Sequence, residues 1–370
     1  MKSGENHKSK LFELPLFIYI FASMLTLGLI VFIIASINES FADFWNRYPA
    51  AFLRGTLAVL TNAFPFSLAE ITLISLPIAV IIIIIMICKG KMDKIKRPWI
   101  FTVSIISAAS LFVSLFTLGF GVGYHTSPLD EKLGLEKKPV SKEELAETAA
   151  YLADMVNESA QQVEFLHESF SIMPYGFNEL GNKLNIAYDR LCGEYNFIPQ
   201  LHSRIKPVLL SEAMSYTHIT GIYTYFSGEA NVNVNFPDYT LPFTAAHEMA
   251  HQRGISREDE ANFIAFLVCS RSDDPYIKYS GYLNLYEYVA SALSSYSELY
   301  SPIAKSIDTR VIYEMIAYSS FFDKYRHSTV GKISESVNNS YLQSMGTSGT
   351  KSYGMVVDLA VAYLKNDISK

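Results

Sequence analysis

The sequence predicts an α+β protein in two parts: three N-terminal transmembrane helices, then a mostly helical domain with a small β-sheet. Three observations carry that expectation. Half of the 370 residues are hydrophobic and only 18% are charged, and the apolar excess sits in the first third, unlike an ordinary soluble globule. The stretch "GIYTYFSGEANVNVNF" (Gly221 to Phe236) alternates aromatic and β-branched residues with polar ones around a Ser-Gly pair, the pattern of two short strands joined by a turn. Around it, capping signals and three-to-four-residue spacing predict helices.

Taken in order, residues 14 to 37 contain no charge and are long enough to cross a bilayer. Lys2, Lys8 and Lys10 precede them, as in a signal peptide. The apolar core is too long for one and no small-x-small cleavage site follows cleanly, so an anchor is expected. A second span runs over 71 to 88 and a third over 99 to 120. Between them "KGKMDKIKR" holds Lys89, Lys91, Lys94, Lys96 and Arg97 against Asp93 alone, which places that loop in the cytoplasm. The N-terminus is then cytoplasmic and everything after Gly121 is extracytoplasmic in a multi-pass protein of the cell membrane. Residues 1 to 121 are the anchor, with membrane lipid as partner. Residues 122 to 370 are one domain, large enough for its own core. The net charge of −6, beside basic inner segments, makes the outer part acidic, and no basic stripe suggests nucleic acid.

Beyond the third span, "GVGYHTSPLDEKLGLEKKPVSKEE" reads as an exposed connector. Ser141 and Glu144 form a capping box that opens a helix through about Asn157. Residues 160 to 215 read as mostly helical with polar breaks. After the strand pair, helical patterns resume, with Pro302 near one helix start and Gly331, Gly346 and Gly349 as punctuation. Cys192 and Cys269 share the outer compartment, where they can pair. Cys269 in "FIAFLVC" equally suits a plain buried thiol. No Cys-x-x-Cys spacing offers a thiolate zinc site.

The chemistry concentrates in "TAAHEMAHQRGISREDEAN", residues 244 to 262. On a helix His247 and His251 lie one turn apart on one face and can share an ion, while Glu248 can reach a water without binding the metal. Two ligands and one general base are what a zinc hydrolase needs, with one zinc ion per chain. The bland alternative is a charged, solvated helix. Such a helix has no need for the small residues Ala245, Ala246 and Ala250 around the histidines. Gly254 permits a sharp reversal after the helix, and Ser256 with Asp259 suits a capping box for a second helix. On that helix Glu258, Asn262, Ala265 and Cys269 share a face of mostly small groups. Glu258 at its leading end is the expected third ligand. Glu260, about 200° around the helix, is the fallback. For both, an acidic first turn favoured by the helix dipole is the plain structural alternative.

These residues resemble the zincin metallopeptidases, the gluzincin branch in particular, whose His-Glu-x-x-His is followed by Glu-x-x-Ala-Asp. Here Glu258 to Asn262 supplies the second half, with Asn262 in place of the aspartate that orients the first histidine from outside the metal shell. The gap between the halves is also shorter than in most gluzincins. Arg257 stands where a metzincin would have its third histidine. Nearly end to end, the chain is similar to an uncharacterised bacterial family of membrane-anchored, zincin-like proteins classed as a domain of unknown function. The similarity covers the spans, "GIYTYFSGEANVN", "HEMAHQRGISREDEANF", "YSGYL" and "SYG". It implies a peptidase-like fold and leaves the substrate open.

Two functions compete: a zinc metallopeptidase cleaving peptide bonds outside the cytoplasm, and a non-catalytic sensor or scaffold of the cell envelope. Glu248 favours the first, because a binding module has no use for a general base. An intramembrane protease is disfavoured by the polar flanks of the motif. Ala230, Val232 and Val234, alternating with Asn231 and Asn233, suit either an edge strand that pairs with substrate or an ordinary hairpin. Tyr279, His327 and Tyr353 are candidate donors to a developing oxyanion.

Overall fold

The computed structural model describes residues 15–89, 98–136, 138–167 and 169–368. Helix α1 (Leu16–Ile37) is the first span. Then come α2 (Glu39–Trp45), a π-helical turn around Pro49 and α3 (Ala51–Thr61), before α4 (Leu68–Cys88) and α5 (Pro98–Gly119). Three helices are long and apolar enough to cross a membrane, namely Leu16–Ile37, Leu68–Met86 and Thr102–His125. Their outward Leu, Ile and Val side chains are largely exposed, as lipid contact requires. Leu14, the N-terminal lysines and most of the basic loop, from Lys91 to Arg97, lie outside the described residues.

The segment between the first two spans packs into the later chain, an arrangement the sequence reading did not assign. Arg54 of α3 is 1% exposed. Its guanidinium donates to Asn46 Oδ1 (2.8 Å), to the Asn46 carbonyl (2.9 Å) and to the carbonyl of Gly119 at the end of α5 (2.5 Å). A longer bond reaches the carbonyl of Arg253 (3.4 Å). Buried Lys206 likewise donates to the carbonyls of Thr61 and Phe64. Glu229 accepts from the first free amides of α4, Leu68 (3.1 Å) and Ala69 (2.9 Å), where an acid offsets the dipole.

The remaining elements are α6 (Leu129–Leu133), α7 (Lys142–Ala160), α8 (Phe177–Glu194), β1 (Lys206–Pro207), α9 (Ser211–Ser215), β2 (Gly221–Thr224) and β3 (Glu229–Val232). After them run α10 (Thr240–Gln252), α11 (Glu258–Ser270), α12 (Pro275–Leu293), α13 (Ser297–Ser306), α14 (Thr309–Arg326), α15 (Thr329–Ser344) and α16 (Val356–Ile368). The Ser141–Glu144 capping box is present and opens α7. Two local expectations are corrected. Residues 161 to 210 are mostly irregular apart from α8, because Pro174, Pro199 and Pro207 interrupt helical continuation. Pro302 lies inside α13 rather than at its start. Cys192 and Cys269 are both free: they sit on different helices, α8 and α11, and the Cys192 thiol points to the Pro199 carbonyl.

The sheet has the order β1-β3-β2, parallel between β1 and β3 and antiparallel between β3 and β2. The sequence reading expected "EANVNV" to be half exposed. Instead β3 is the central strand and is buried throughout. Asn231 does not face a cleft, since its amide donates to the carbonyls of Ile222 and Glu229 and to the Thr224 hydroxyl. The free edge belongs to β2. The Asn233 amide bonds the Thr220 carbonyl, so by alternation Ile222 and Thr224 face β3 while Gly221 and Tyr223 turn their backbone groups outward. One continuous core runs beneath, from Leu152 on α7 through Leu184 on α8 and Ala246 on α10 to Phe263 on α11 and Leu283 on α12.

Aromatic residues join this body to the third span. Phe112 and Phe116 of α5 and Phe120 just after its end, spaced four residues apart, contact Phe226, Tyr225 and Tyr223 of the β2–β3 hairpin at 5.2–5.3 Å between ring centroids. Such pairs add about 0.5–1.5 kcal/mol each beyond burial.

Candidate metal centre

Helix α10 is buried on every side. Pro242 falls in its first turn, where no amide is needed. Ser280 of α12 receives the Phe243 amide and donates to the Tyr239 carbonyl, replacing a missing side-chain cap. The helix ends where Gly254 adopts φ +94°, a left-handed conformation that favours glycine. Arg253 beside it is buried over the Tyr188 ring, 3.7 Å from the centroid, and Tyr188 donates to the Ala246 carbonyl (2.6 Å). These contacts hold the helix against rotation.

The reversal at Gly254 brings α11 back across α10. Glu258 Oε2 lies 3.2 Å from His247 Nε2 and 3.4 Å from His251 Nε2. One ligand atom from each of the three residues falls within 4.8 Å of the others, and all three side chains are buried. The histidine rings stand perpendicular, 4.5 Å apart. His251 Nδ1 pairs with the Ile255 carbonyl at 2.7 Å, which fixes the tautomer that turns Nε2 to the cluster. Burial alone would raise the Glu258 carboxyl, but the two histidines outweigh it and hold it below its usual range. For His251 burial lowers the pKa, and the Glu258 charge overrides this and raises it to about 9.

Glu260 does not reach the cluster. Its Oε1 accepts from the Leu129 amide (2.9 Å) and from Arg257 (2.8 Å), and Arg257 also grips the carbonyls of Tyr124 and Thr126. The residue is a brace between α11 and the segment after the third span. The expected Ser256 capping box does not form either. Ser256 donates to the Phe120 carbonyl (2.9 Å), and α11 starts at Glu258 without a side-chain cap. Phe120 also sets its ring edge-on to His251 at 5.7 Å.

Glu248 is 4% exposed, and its Oε2 has no hydrogen-bond partner among the described residues. Burial raises its carboxyl, against the pull of both histidines and the Tyr223 backbone amide. Gly221 on β2 approaches it so closely that a Cβ there would sit 2.6 Å from Glu248 Oε1. The sequence reading gave Gly221 no role of its own, and a glycine opening a strand just before the motif helix was the available signal.

A cavity of about 630 Å³ opens beside these groups, lined by Gly221, His247 and Glu248 together with Asn262, Glu287 and Tyr288 among others. Asn262 donates to the Tyr288 hydroxyl (3.3 Å). Among the described residues, neither Tyr279 nor His327 is placed in the lining. Tyr279 donates to Glu314 inside the core. His327 caps the end of α14, and the Tyr353 side chain lies outside the described residues. Tyr288 sits in the lining instead, a residue with no flag in sequence spacing.

Compared with known families, residues 45–361 match the family model described as "Protein of unknown function (DUF3810)". The chain belongs to the DUF3810 family. The matched span takes in the loop of Asn46 and Arg54, the second and third candidate spans, the hairpin and the His247–His251–Glu258 cluster. No curated protein and no solved structure matches the chain.

The donor set suits zinc. Two imidazole nitrogens and one carboxylate oxygen are ligands that zinc accepts, with a position left for a reactant. Glu258 Oε2 has no hydrogen-bond partner among the described residues although both Nε2 atoms approach it. Two imidazoles and a carboxylate that converge on one buried point, and that pair with one another when no cation is bound, offer the donor set a cation accepts.

Proposed function

We propose that this DUF3810 protein is a membrane-anchored, zincin-like metallopeptidase, with one zinc held by His247, His251 and Glu258. The single observation that carries the reading is Glu248, a buried carboxylate with one unpaired oxygen, facing the same cavity as His247. A sensor or scaffold would have no use for such a group, which costs stability when buried. When bound, zinc supplies Lewis acidity to a water and to a carbonyl in the cavity.

The chain's own residues do the rest. Glu248 takes a proton as water attacks the peptide carbonyl and returns it to the departing nitrogen, and its raised carboxyl suits a base that must later act as an acid. The outward backbone groups of Gly221 and the Tyr223 carbonyl, the Tyr223 amide being taken by Glu248, offer the edge along which an extended peptide would add as a further strand. This replaces "EANVNV" as the pairing strand. Asn262 occupies the place of the family aspartate and is a neutral partner to the site. The basic loop supports an extracytoplasmic position for the domain. The test is Glu248→Gln in the full chain. It should keep zinc and fold while lowering peptide hydrolysis by about 100-fold or more. Undiminished hydrolysis would refute Glu248 as the base, and equal cellular function of the variant and the wild type would favour the scaffold reading.

A further inference from the structure

The far wall of the cavity carries chemistry that zinc binding and proton transfer do not use. Glu287, on α12, faces the cavity, and no described residue bonds or pairs with its carboxylate. Tyr239 lines the same space. It is 1% exposed, and its hydroxyl has no hydrogen-bond partner among the described residues. A buried hydroxyl left unpaired costs about 1–3 kcal/mol, so its persistence in a cavity wall points to something that enters the cavity. Tyr288 and Tyr318 line the same space, and Tyr239 and Tyr318 pack edge to face at 6.0 Å. Tyr288 follows Glu287 directly on α12, and Glu287 lines the cavity together with all three tyrosines. The cavity lining includes Glu248 and Glu335 as well, and no lysine or arginine.

A carboxylate with no counterion, in a half-open acidic cavity that it shares with three tyrosines, is a setting in which a cation binds: the carboxylate pairs with it and aromatic faces attract it. We propose that Glu287, with Tyr239, Tyr288 and Tyr318 around it, forms a subsite that accepts an ammonium or guanidinium group of the substrate and so selects basic peptides. The catalytic meaning of this subsite rests on the metallopeptidase reading, whereas its binding of a cation does not. Burial and the nearby Glu314 push the Glu287 carboxyl up to about 7, the expected state of such a group while it lacks a counterion. The cation can come from a basic side chain or from a free α-amine, and the two are separable.

The experiment uses the full chain in lipid nanodiscs, carrying Glu248→Gln so that nothing is turned over, and measures peptide binding by calorimetry. The probes are end-blocked peptides with arginine or its uncharged isostere citrulline at one position, and neutral peptides with a free or an acetylated amino terminus. One of the charged members should bind about tenfold or more tightly than its neutral partner, the loss expected for one charge-assisted hydrogen bond in a half-open site. Adding Glu287→Gln should bring that ratio to one. Which pair shows the ratio identifies the cation. Ratios of one for both pairs before Glu287 is changed would overturn the subsite whatever the variant does, and so would a preference that survives Glu287→Gln. Repeating the titration after chelation keeps the two readings apart. A chain that never retains zinc yet prefers the cation sinks the metallopeptidase and keeps the subsite. Zinc retained with ratios of one does the reverse.

Discussion

Replacing Arg54 with leucine should both destabilise the protein and loosen its metal. Three short bonds from the guanidinium, at 2.8, 2.9 and 2.5 Å, satisfy acceptors on Asn46 and Gly119. Each buried acceptor left unpaired costs about 1–3 kcal/mol, so the gross loss is about 3–9 kcal/mol. Against it stands the cost of keeping the guanidinium dry. Burial lowers the Arg54 pKa from 12.5 to about 10, equivalent to about 3 kcal/mol that leucine no longer incurs. The net expectation is about 3 kcal/mol, near the middle of the remaining range. On the scale of a 150–250-residue domain this lowers Tm by about 6–12 °C. The change should also reach the metal, because Asn46, which Arg54 orients, donates to the Gly254 carbonyl (3.0 Å) at the reversal carrying Glu258 to the histidines. Zinc affinity should fall about 10- to 100-fold, as for loss of other groups just outside a metal shell. Thermal unfolding in nanodiscs and competition with a zinc chelator measure the two effects. Unchanged melting with unchanged zinc affinity would refute the claim that this arginine ties the spans to the centre.

Further outcomes follow from the same geometry. Glu258→Ala should abolish zinc retention. Glu260→Gln should keep the zinc while weakening the Arg257 brace, and metal analysis of the two purified variants giving the opposite pattern would reverse the ligand assignment. In the metal-free protein His251 is held protonated up to about pH 9, and zinc needs the neutral ring. Uptake at pH 7 should therefore release about one proton from His251, and apparent affinity should climb as pH rises and level off above about pH 9. Calorimetry in buffers of different ionisation enthalpy reads that proton, and uptake without release would show that the histidine starts neutral. Protease added to spheroplasts should digest the chain after the third span. Protection until the membrane is broken would place the domain in the cytoplasm.

What the sequence disclosed was local. Spacing alone set His247 and His251 on one helix face, Gly254 marked the reversal, and the acidic start of α11 left Glu258 and Glu260 as the candidates to join them, of which Glu258 lies beside both rings. The three apolar runs and the Ser141 capping box were equally plain, since each depends on neighbours within a turn or on uninterrupted length. What stayed hidden depends on contacts between distant segments. A strand's alternation does not say whether it is central or edge, so β3 could not be told from β2 before Lys206 and Asn231 were seen to pair. The Phe112, Phe116 and Phe120 stripe looked like any lipid-facing set until the hairpin was found against it. Arg54 carried no signal beyond being a lone charge in an apolar segment, and the tyrosines of the cavity are brought together only by the packing of α10, α12 and α14.

The contact of Phe120 with both the ring of His251 and the hydroxyl of Ser256 joins the end of the third candidate span to the candidate metal centre. A span whose apolar length does not match the surrounding hydrocarbon thickness tilts or kinks to compensate. Here the end of such a candidate span is the floor on which His251, a proposed metal ligand, rests. Any tilt is therefore delivered to His251 without passing through a flexible linker. On the metal-binding reading, membrane thickness would tune metal affinity, and lipids of different chain length would act on the site as effectors that never enter the cavity.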